Sequence, residues 1–408
     1  MQQNSSGSRE SAGDSPPVST GTIASDLSAT SLRPGEVRHS SHIELSESAL
    51  RKNLAFLRER IGPGVILSSV VKANAYGHGI DPFVRLAERL GVRHFSVASG
   101  FEASCVLEVA SAESTILIMG ILYPEDLPWV IGHGIEFYVF DLERLHEAAR
   151  VARDLGRPAR IHLEVETGGN RLGLPPDQLE RAAGIFKKHR DTLEFVGLCT
   201  HYAGIESLSN QFRIRRQMQR FDELTRRLKA VRCLPRIRHT ACSAAALAFP
   251  ETVMDLVRVG TAQYGLWPSP DIATLVRSQI GDRPGLHRVL SWKTNVMHLK
   301  HVAEDEFVGY GTAYQAPRDM MVAVLPVGYG NGMPRDLSNR GQILVRGRKA
   351  PIIGLVNMNA CMIDVSHIPD VAVGDEVVLV GKQKNSKISI PSSSVFPTAP
   401  NDEFVARL

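Results

Sequence analysis

The sequence of 408 residues lacks the features that define several large classes of protein. No apolar run approaches the roughly 18 to 20 residues that cross a bilayer, and the first residues, MQQNSSGSRE, lack the pattern of a secretory signal. A net charge of +4 is too small to predict a nucleic-acid partner. The densest basic stretch, FRIRRQMQR at residues 212–220, is interpreted as the solvated face of an amphipathic helix. We therefore expect no membrane and no nucleic acid among the partners.

Cysteine is also scarce. The five cysteines are odd in number and no two have CxxC spacing, so the sequence predicts neither a disulfide framework nor a zinc site. We expect reduced thiols, a cytoplasmic location and no bound metal. With 43% hydrophobic and 22% charged residues, the composition is that of an ordinary globular protein.

Three regions of the chain differ in composition and periodicity. Residues 1–38 are rich in Ser, Gly, Thr and Pro and are predicted to be a disordered tail. Residues 39–277 alternate short apolar runs with stretches of helical period, which is typical of an α/β protein built as a (β/α)8 barrel. Residues 278–408 are predicted to form a mainly β domain, beginning with a run at 289–302. The strand near residues 42–46 is a candidate to pack with that second domain.

Eight apolar, β-branched runs support the barrel. They are residues 65–71, 94–98, 115–119, 136–140, 160–165, 195–200, 236–240 and 256–259. A doubly wound open sheet is the structural alternative, and it usually carries a Gly-rich phosphate loop after its first strand. Here that loop would be KANAYGHG at residues 72–79, which lacks the GxGxxG pattern. The closed barrel is therefore the preferred prediction.

Chemistry in such a barrel lies at the carboxyl ends of the strands. Lys72 follows the first run, where desolvation would favour the neutral amine of Schiff-base chemistry, although a lysine snorkelling at the barrel mouth is commoner. Ser243, Gly260 and Thr261 follow the last two runs, where barrels often bind phosphate and where ordinary turns use the same residues. Arg258 could instead form an ion pair that closes the barrel. Together, a Schiff-base lysine and a phosphate site suggest pyridoxal 5′-phosphate (PLP).

The motifs along the chain resemble those of the alanine racemases, which are PLP enzymes of fold type III. KANAYGHG is similar to their cofactor-lysine signature, and the resemblance runs from about residue 43 to the C-terminus. Other matching segments are TGGNRLGL at 167–174, HYA at 201–203, CSAA at 242–245, RVGTAQYGLWP at 258–268, GYGTAY at 309–314, VGYGNGMPR at 327–335 and NMNACMIDV at 357–365. The family fold, a PLP-binding barrel followed by a β domain, agrees with the periodicity.

The resemblance implies two catalytic bases, Lys72 and Tyr310. Lys72 would carry PLP, and Tyr310 would reach the opposite face of the cofactor in the partner subunit of a head-to-tail homodimer. Racemisation needs that arrangement, because a proton leaves one face of the substrate and another arrives on the opposite face. Met358, also donated to the partner, would line the substrate entry with Tyr329. The substrate would be a small amino acid, with alanine first and serine second.

The resemblance also implies the residues that hold the cofactor. They are Lys72, Tyr76, Arg171, His201, Ser243, Arg258, Gly260 and Thr261. Among these, Arg258 would face the pyridine nitrogen. Arg171 would contact the phenolic oxygen of PLP and the carboxylate of the substrate, and His201 would support Tyr310.

Four positions depart from the family pattern. Glu164 stands where the family often has a carbamylated lysine, and we expect its carboxylate to pair directly with Arg171. Cys242 replaces an Asn near the phosphate, and Asn359 replaces an Asp after Met358. Asp402 stands where a phosphate-binding tyrosine is expected, so we expect weaker PLP binding.

Three other functions stay open. A non-catalytic PLP-binding homologue would account for Asp402. A PLP-dependent amino-acid decarboxylase of fold type III would share the lysine, but the chain has no EPGR-like element. A metal-dependent hydrolase could use His201 and His239, although no carboxylate pattern accompanies them.

Overall fold

The computed structural model describes residues 39–388, which form two β-sheets. Strand β1 (Ser41–Leu45) and helix α1 (Glu47–Ile61) come first along this part of the chain. Ser46 caps α1, because its Oγ accepts a hydrogen bond from the backbone N–H of Ala49 at 3.2 Å. The tail at residues 1–38 and the C-terminal residues 389–408, with Asp402, lie outside the described part, and their expectations stay predictions.

The parallel sheet is a nearly closed barrel. Its strands are β2 (Ile66–Val70), β3 (His94–Ser99), β4 (Thr115–Ile121), β5 (Glu136–Val139), β6 (Ala159–Glu164), β7 (Leu193–Cys199), β8 (Ile237–His239) and β9 (Leu256–Val259). They follow the order β8-β7-β6-β5-β4-β3-β2-β9. The end strands meet where the N–H groups of Asp255 and Arg258 donate to the carbonyl oxygens of Arg238 (3.1 Å) and Ala241 (3.0 Å). The predicted barrel is therefore confirmed, and each of the eight apolar runs overlaps one of its strands.

Helices follow most of the barrel strands and cover the outside. They are α2 (Lys72–Tyr76), α3 (Ile80–Arg89), α4 (Gly100–Val109), α5 (Leu127–Gly132), α6 (Leu142–Leu155), α7 (Leu179–Lys188), α8 (Gln211–Ala230), α9 (Ser243–Ala248) and α10 (Pro270–Ile280). The strands are buried on both faces, as expected for a parallel sheet enclosed by helices. Between residues 39 and 388, no helix combines the length and the apolar character needed to cross a membrane.

The second sheet has nine described strands and is antiparallel. Besides β1, it contains β10 (Leu290–Asn295), β11 (His298–Val302), β12 (Met320–Leu325), β13 (Gln342–Val345), β14 (Arg348–Ile353), β15 (Cys361–Asp364), β16 (Glu376–Gln383) and β17 (Ser386–Ile388). The order is β1-β10-β16-β13-β14-β15-β12-β11, and β17 pairs with β16. The predicted mainly β C-terminal region is confirmed.

The expectation of a single strand at residues 289–302 is wrong. Residues 289–302 form two strands, because the chain changes partners between them. The N–H of Val296 donates to the carbonyl oxygen of Asp375 at 2.9 Å, whereas that of Met297 donates to Val324, also at 2.9 Å. β10 therefore pairs with β16 and β11 pairs with β12.

Two contacts near the start of the described chain connect the barrel to the second sheet. β1 pairs antiparallel with β10. In α1, the fully buried Asn53 donates from Nδ2 to the carbonyl oxygens of Gln263 (3.0 Å) and His287 (2.7 Å). Its Oδ1 accepts from the N–H of His287 at 2.7 Å. One amide side chain thus joins α1, the loop after β9 and the segment that leads into β10.

Replacing Asn53 with Ala removes these three hydrogen bonds. We expect the free energy of unfolding to fall by about 2–4 kcal/mol, because each buried polar group left unpaired costs about 1–3 kcal/mol. Unfolding in urea measures the change. The control is Lys52→Ala, at the exposed neighbouring position, where the change should stay within about 0.5 kcal/mol. Equal losses in the two variants would contradict the role given to the Asn53 side chain.

Candidate active site

The carboxyl ends of the barrel strands bring the predicted site residues to one rim. Lys72 follows β2, Arg171 lies in the loop after β6, His201 follows β7, and Arg258 lies in β9. Burial, followed by the positive charges of Arg258, Arg171 and Lys72, lowers the pKa of His201 to about 3. His201 is therefore neutral at pH 7, and the four side chains share one electrostatic environment.

The turn that carries Lys72 is left-handed. Ala73, Asn74, Ala75 and Tyr76 have φ values of 51° to 54°. L-residues adopt this conformation at a cost of about 1–2 kcal/mol each, so the surroundings must maintain it. The N–H of Ala73 donates to Oε1 of Glu102 at 2.6 Å. Oδ1 of Asn74 accepts from a backbone N–H in α3 at 3.0 Å.

The Lys72 side chain is exposed in the single chain. The expectation that Lys72 is desolvated by its position after β2 is therefore wrong. The apolar run ends at Val71, which is fully buried, and the chain is exposed from Lys72 to Asn74 before it re-enters the core at Ala75. If the amine is shielded from water, the shielding must come from groups other than the strand that precedes it.

Ser243, Gly260 and Tyr76 form a close-packed cradle between the ends of β8 and β9. Oγ of Ser243 accepts hydrogen bonds from the N–H groups of Gly260 (3.0 Å) and Ala262 (3.3 Å). A Cβ atom on Gly260 would lie 2.6 Å from the hydroxyl oxygen of Tyr76, so a larger residue here would have to displace that hydroxyl. The 3₁₀ turn that follows starts at Thr261. The four residues predicted to bind phosphate are thus brought together.

Arg258 is held rigidly in the barrel. It is 5% exposed, and its Nη2 donates to the carbonyl oxygens of Thr200 (2.9 Å) and Thr240 (3.1 Å). Nη1 donates to the carbonyl oxygen of His239 at 3.0 Å and to Nδ1 of the same residue at 2.5 Å. The predicted ion pair that would close the barrel is absent from the described chain, because backbone carbonyls and a histidine satisfy this guanidinium instead.

A chain of buried side chains continues from Arg258 across the barrel. Nε2 of His239 lies 2.8 Å from Nδ1 of His162, and Nε2 of His162 lies 2.9 Å from Oε2 of Glu136. Since arginine can only donate, His239 accepts at Nδ1 and carries its proton on Nε2, and His162 follows the same pattern. Burial lowers the pKa of both histidines, so they are neutral. Arg160 balances the Glu136 carboxylate at 2.7 Å.

Sequence reasoning did not assign a function to His162 and Glu136. Both interrupt apolar strands that are otherwise buried, and this was the available signal. A titratable side chain in a doubly covered strand needs a partner inside the protein. The sequence does not identify that partner, because the contact depends on how the strands are aligned in the barrel.

Glu164 does not form the expected ion pair with Arg171. Its side chain is buried, its Oε2 has no hydrogen-bond partner, and no carboxylate-guanidinium contact joins it to Arg171 within the described residues. Burial raises the pKa of Glu164, and the charges of Arg258 and Arg171 oppose that rise. Glu164 and Arg171 line one cavity of about 170 Å³ together with His201, so the two groups share a space without touching.

Gln217 in α8 connects the two loops that carry Arg171 and His201, and the sequence analysis missed it. The side chain is 1% exposed, and its Oε1 accepts from the N–H of Ala203 at 3.0 Å. Its Nε2 donates to Oγ1 of Thr167 (3.3 Å) and to the carbonyl oxygen of His201 (3.4 Å). A polar residue on the buried face of a predicted amphipathic helix was the signal that could have identified it.

Tyr310, Tyr329 and Met358 lie on the second sheet and point into solvent. They are 71%, 44% and 56% exposed. Backbone hydrogen bonds from Tyr329 to Asn357 (2.9 Å) and from Gly330 to Met358 (2.8 Å) bring Tyr329 and Met358 together. No hydrogen bond or ion pair of the described chain joins Tyr310 to Lys72.

Two of the family departures lie within the described residues near these groups. Cys242 precedes α9 and forms an isolated β-bridge with Arg258. Burial raises the pKa of its thiol, so it stays protonated at pH 7. Asn359 is exposed beside Met358 and leaves that surface without the carboxylate that the family pattern has there.

Comparisons with known proteins confirm the resemblance drawn from the motifs. The family model described as alanine racemase, N-terminal domain, matches residues 45–268, and that of the C-terminal domain matches residues 289–405. A relative from Leptospira interrogans, named alanine racemase, is 35% identical over 352 residues. The matched region covers 86% of this chain and 89% of that protein.

Solved structures agree in fold over almost the whole chain. Alanine racemase from Streptomyces lavendulae has a TM-score of 0.82 and 29% identity, covering 91% of this chain and 95% of that one. Histidine racemase from Leuconostoc mesenteroides has a TM-score of 0.82 and 27% identity, covering 91% and 96%. Racemases named for different amino acids thus share this fold.

Replacing Ala73 with Gly tests the strain in the left-handed turn. We expect the free energy of unfolding to rise by about 1 kcal/mol, because glycine adopts positive φ without the steric cost of a Cβ. The matched control is Ala55→Gly in the exposed part of α1, where the same change should lower it by about 1 kcal/mol. Chemical unfolding measures both changes. A loss of stability in both variants would contradict the strain assigned to Ala73.

His78 makes stability depend on pH. Burial lowers its pKa from 6.5 to about 4, so between these values the unfolded chain binds the proton and the folded chain does not. Stability therefore falls as pH is lowered through this window, by about 1 kcal/mol per pH unit for this group. In His78→Asn, the slope of unfolding free energy against pH should be smaller by that amount.

The matched control for His78 is His146→Asn, because His146 is exposed on α6. This variant should keep the slope of the unchanged protein. Urea unfolding at several pH values between 4.5 and 6.5 gives the slopes, and the difference between the two variants removes the contribution of the carboxyl groups. Equal slopes would show that His78 is not held neutral by burial.

Proposed function

Because the chain belongs to the alanine racemase family of isomerases, we propose that it interconverts L- and D-alanine with PLP and two bases, Lys72 and Tyr310. The observation that carries the proposal is the barrel rim, where Lys72, Arg171, His201 and Arg258 share one electrostatic environment. A racemase needs a cofactor lysine, a carboxylate-binding cation and rigid supports in one place, and the rim supplies candidates for all of them.

The residues at the rim fit PLP. In the cradle of Ser243, Gly260, Thr261 and Tyr76, Gly260 carries no side chain, so a phosphate can approach its backbone closely. Lys72 stands exposed beside it, with an amine able to form a Schiff base. When bound, PLP withdraws electrons from the substrate and so makes the proton on Cα removable.

The two proposed bases act on opposite faces of the substrate. Nζ of Lys72 takes the proton from Cα on one face, and Oη of Tyr310 delivers one on the other, with the roles exchanged for the opposite enantiomer. Arg171 binds the substrate carboxylate and fixes which face each base meets. Neutral His201 and the positively charged Arg258 lie beside the two proposed bases. The positive charge favours the phenolate form of a tyrosine that approaches Arg258.

Arg258 is proposed to lie against the pyridine nitrogen of the cofactor. Its guanidinium stays protonated and its donors are directed at Thr200, Thr240 and His239. Such a group gives no proton to the ring nitrogen. The contact would therefore restrain charge build-up on the ring and disfavour side reactions.

Tyr310 and Met358 are proposed to act in the site of a partner subunit in a head-to-tail homodimer. Support comes from their exposure on the second sheet and from the lack of a described contact between Tyr310 and Lys72 in one chain. One chain then supplies one base to each of two sites, and both sites are complete only in the dimer.

The substrate range is proposed to begin with alanine and extend to serine. Supply of D-alanine is the proposed role, although a racemase runs equally in the catabolic direction. A wider range has support from a single comparison, the histidine racemase with the same fold. A pocket distinguishes one added methylene by only about 1–3 kcal/mol, so the range must be measured.

The primary test is exchange of the Cα proton in D2O, followed by proton NMR with PLP-loaded protein and with L- and D-alanine in parallel. Exchange with loss of optical purity from both enantiomers is expected, and serine, histidine and lysine follow. No exchange from any amino acid, despite bound cofactor, would contradict a racemase and favour a PLP-binding homologue without turnover.

Single substitutions test the two bases. Lys72→Ala should abolish exchange, and Tyr310→Phe should slow it by about 10²–10⁴-fold, the usual contribution of a general acid or base. The matched control is Tyr314→Phe in the same loop, whose hydroxyl donates to Met320 Sδ at 3.8 Å and which should keep its rate. Full activity in Tyr310→Phe would refute the two-base mechanism.

A mixture of the two inactive variants tests whether Tyr310 acts in the partner. Reassociated Lys72→Ala and Tyr310→Phe chains should recover about a quarter of the normal rate, because half of the dimers are mixed and each has one intact site. No recovery, with mixed dimers demonstrated by mass spectrometry, would place both bases in one chain.

A further inference from the structure

Helix α8 and the loop after β6 enclose a second cavity, of about 330 Å³. It shares no lining residue with the cavity beside Glu164. Its lining residues are Thr167, Gly168, Asn170, Phe212, Arg213, Arg216, Gln217 and Arg220. The basic stretch at residues 212–220 therefore does more than face solvent, because part of it forms one wall of a cavity.

The charge in this cavity is of one sign. Arg213, Arg216 and Arg220 are spaced three and four residues apart and so project from one face of α8. No carboxylate lines the cavity, and none of the three guanidinium groups has an ion pair within the described residues. By contrast, Arg227 on the same helix pairs with Glu180 at 2.7 Å. Like charges at this spacing repel one another, and a bound anion would relieve the repulsion.

The shape of the site favours a tetrahedral oxyanion. Each guanidinium presents a planar fork of donors, and three such forks can bind the several oxygens of a phosphate more completely than the two of a carboxylate. The cavity volume exceeds that of a monatomic ion. We propose that this cavity, between α8 and the loop after β6, binds an anion that carries a phosphate group.

The binding wall is already in place without a ligand. Nη2 of Arg213 donates to the carbonyl oxygen of Gly168 at 2.9 Å and holds the helix against the loop. Gln217 forms the buried floor through its bonds to Thr167 and to the carbonyl oxygen of His201. An anion held here would therefore meet a surface whose two sides are fixed to each other.

The site is adjacent to the candidate active site. Asn170 lines the cavity and directly precedes Arg171, so binding would fix the loop that carries the proposed substrate-binding cation. This consequence, unlike the binding itself, rests on the proposed function. We expect phosphate to change KM for alanine more than kcat.

Binding is measured by calorimetric titration of PLP-loaded protein, in which the cofactor's own phosphate site is filled. Inorganic phosphate and glycerol 3-phosphate are the probes, and sodium acetate at the same ionic strength is the comparison. We expect one site per chain, with acetate at least tenfold weaker. Tighter binding of the ester identifies a phosphate monoester as the ligand, and equal binding identifies free phosphate. Either result supports the site, whereas acetate binding as tightly as phosphate would overturn it.

Two matched double variants locate the binding. Arg216→Gln with Arg220→Gln should weaken phosphate binding at least tenfold. The control is Arg215→Gln with Arg226→Gln, which removes the same charge from exposed positions about 90° around the helix and should change binding less than twofold. Equal weakening in both pairs would reveal an adventitious ion only, drawn by net charge, and would overturn the proposal.

Measuring activity as well as binding separates the proposed anion site from the proposed racemase function. If phosphate binds and the Arg216 and Arg220 variant loses that binding, the site stands even where no racemase activity is found. In an active enzyme, phosphate should shift KM in the unchanged protein and not in that variant. A variant that alters self-association while leaving phosphate binding intact would show that the arginines serve a subunit contact and would overturn the anion site.

Discussion

A permanent positive charge enclosed in the barrel is the constraint on which the site depends. Arg258 cannot release its proton to suit its surroundings, so the barrel must provide acceptors for it. The carbonyl oxygens of Thr200 and Thr240 serve this purpose, and in doing so they fix where the chain leaves β7 and β8. His201 comes directly after Thr200, and Ser243 comes three residues after Thr240. The loops at the rim therefore begin from points that the buried charge has already determined.

The same charge also determines the glycine in β7. His162 must lie close to His239 for the hydrogen-bonded chain to reach Glu136, and its ring occupies the space beside Gly197. A Cβ atom at Gly197 would meet Nδ1 of His162 at 2.2 Å. Glycine weakens a strand interior, and the register between β6 and β7 shifts beside His162. The strand thus accommodates a polar chain that an entirely apolar barrel would not need.

The sequence predicts most of the fold, because short apolar runs at regular intervals depend only on local periodicity. All eight barrel strands follow from it. The division of 289–302 does not, because it depends on which strands lie on either side. The left-handed turn after Lys72 is also hidden. Of its residues with positive φ, Asn74 and Gly77 favour that conformation by their type, whereas Ala73 does not and is restrained by Glu102, which is distant in sequence.

The site is predicted in its parts but not in its contacts. The rim residues are placed together because strand ends can be read from the sequence. Desolvation of Lys72 and pairing of Glu164 with Arg171 are wrong, because both depend on side-chain positions to within a few ångströms. Sequence resemblance identifies which residue types are present, whereas burial and hydrogen bonding decide what each one meets. Gln217 illustrates the difference, since its importance lies entirely in the three groups that it joins.

Exposed apolar side chains give the rim a second feature that bears on assembly. Phe101 follows β3, Ile121 ends β4 and Tyr123 follows it, and these side chains are 77%, 52% and 59% exposed. Tyr310 and Met358 on the second sheet are exposed as well. If the exposed apolar groups of the rim and of the second sheet packed against each other, the contact would be favourable, because it would bury apolar surface. In a head-to-tail pair each rim would meet the second sheet of the other chain, and the cationic rim would gain the phenol that it lacks. Apolar burial and catalytic completeness would both be served by this arrangement, and the exposed surface of one chain supports the proposed dimer in that way.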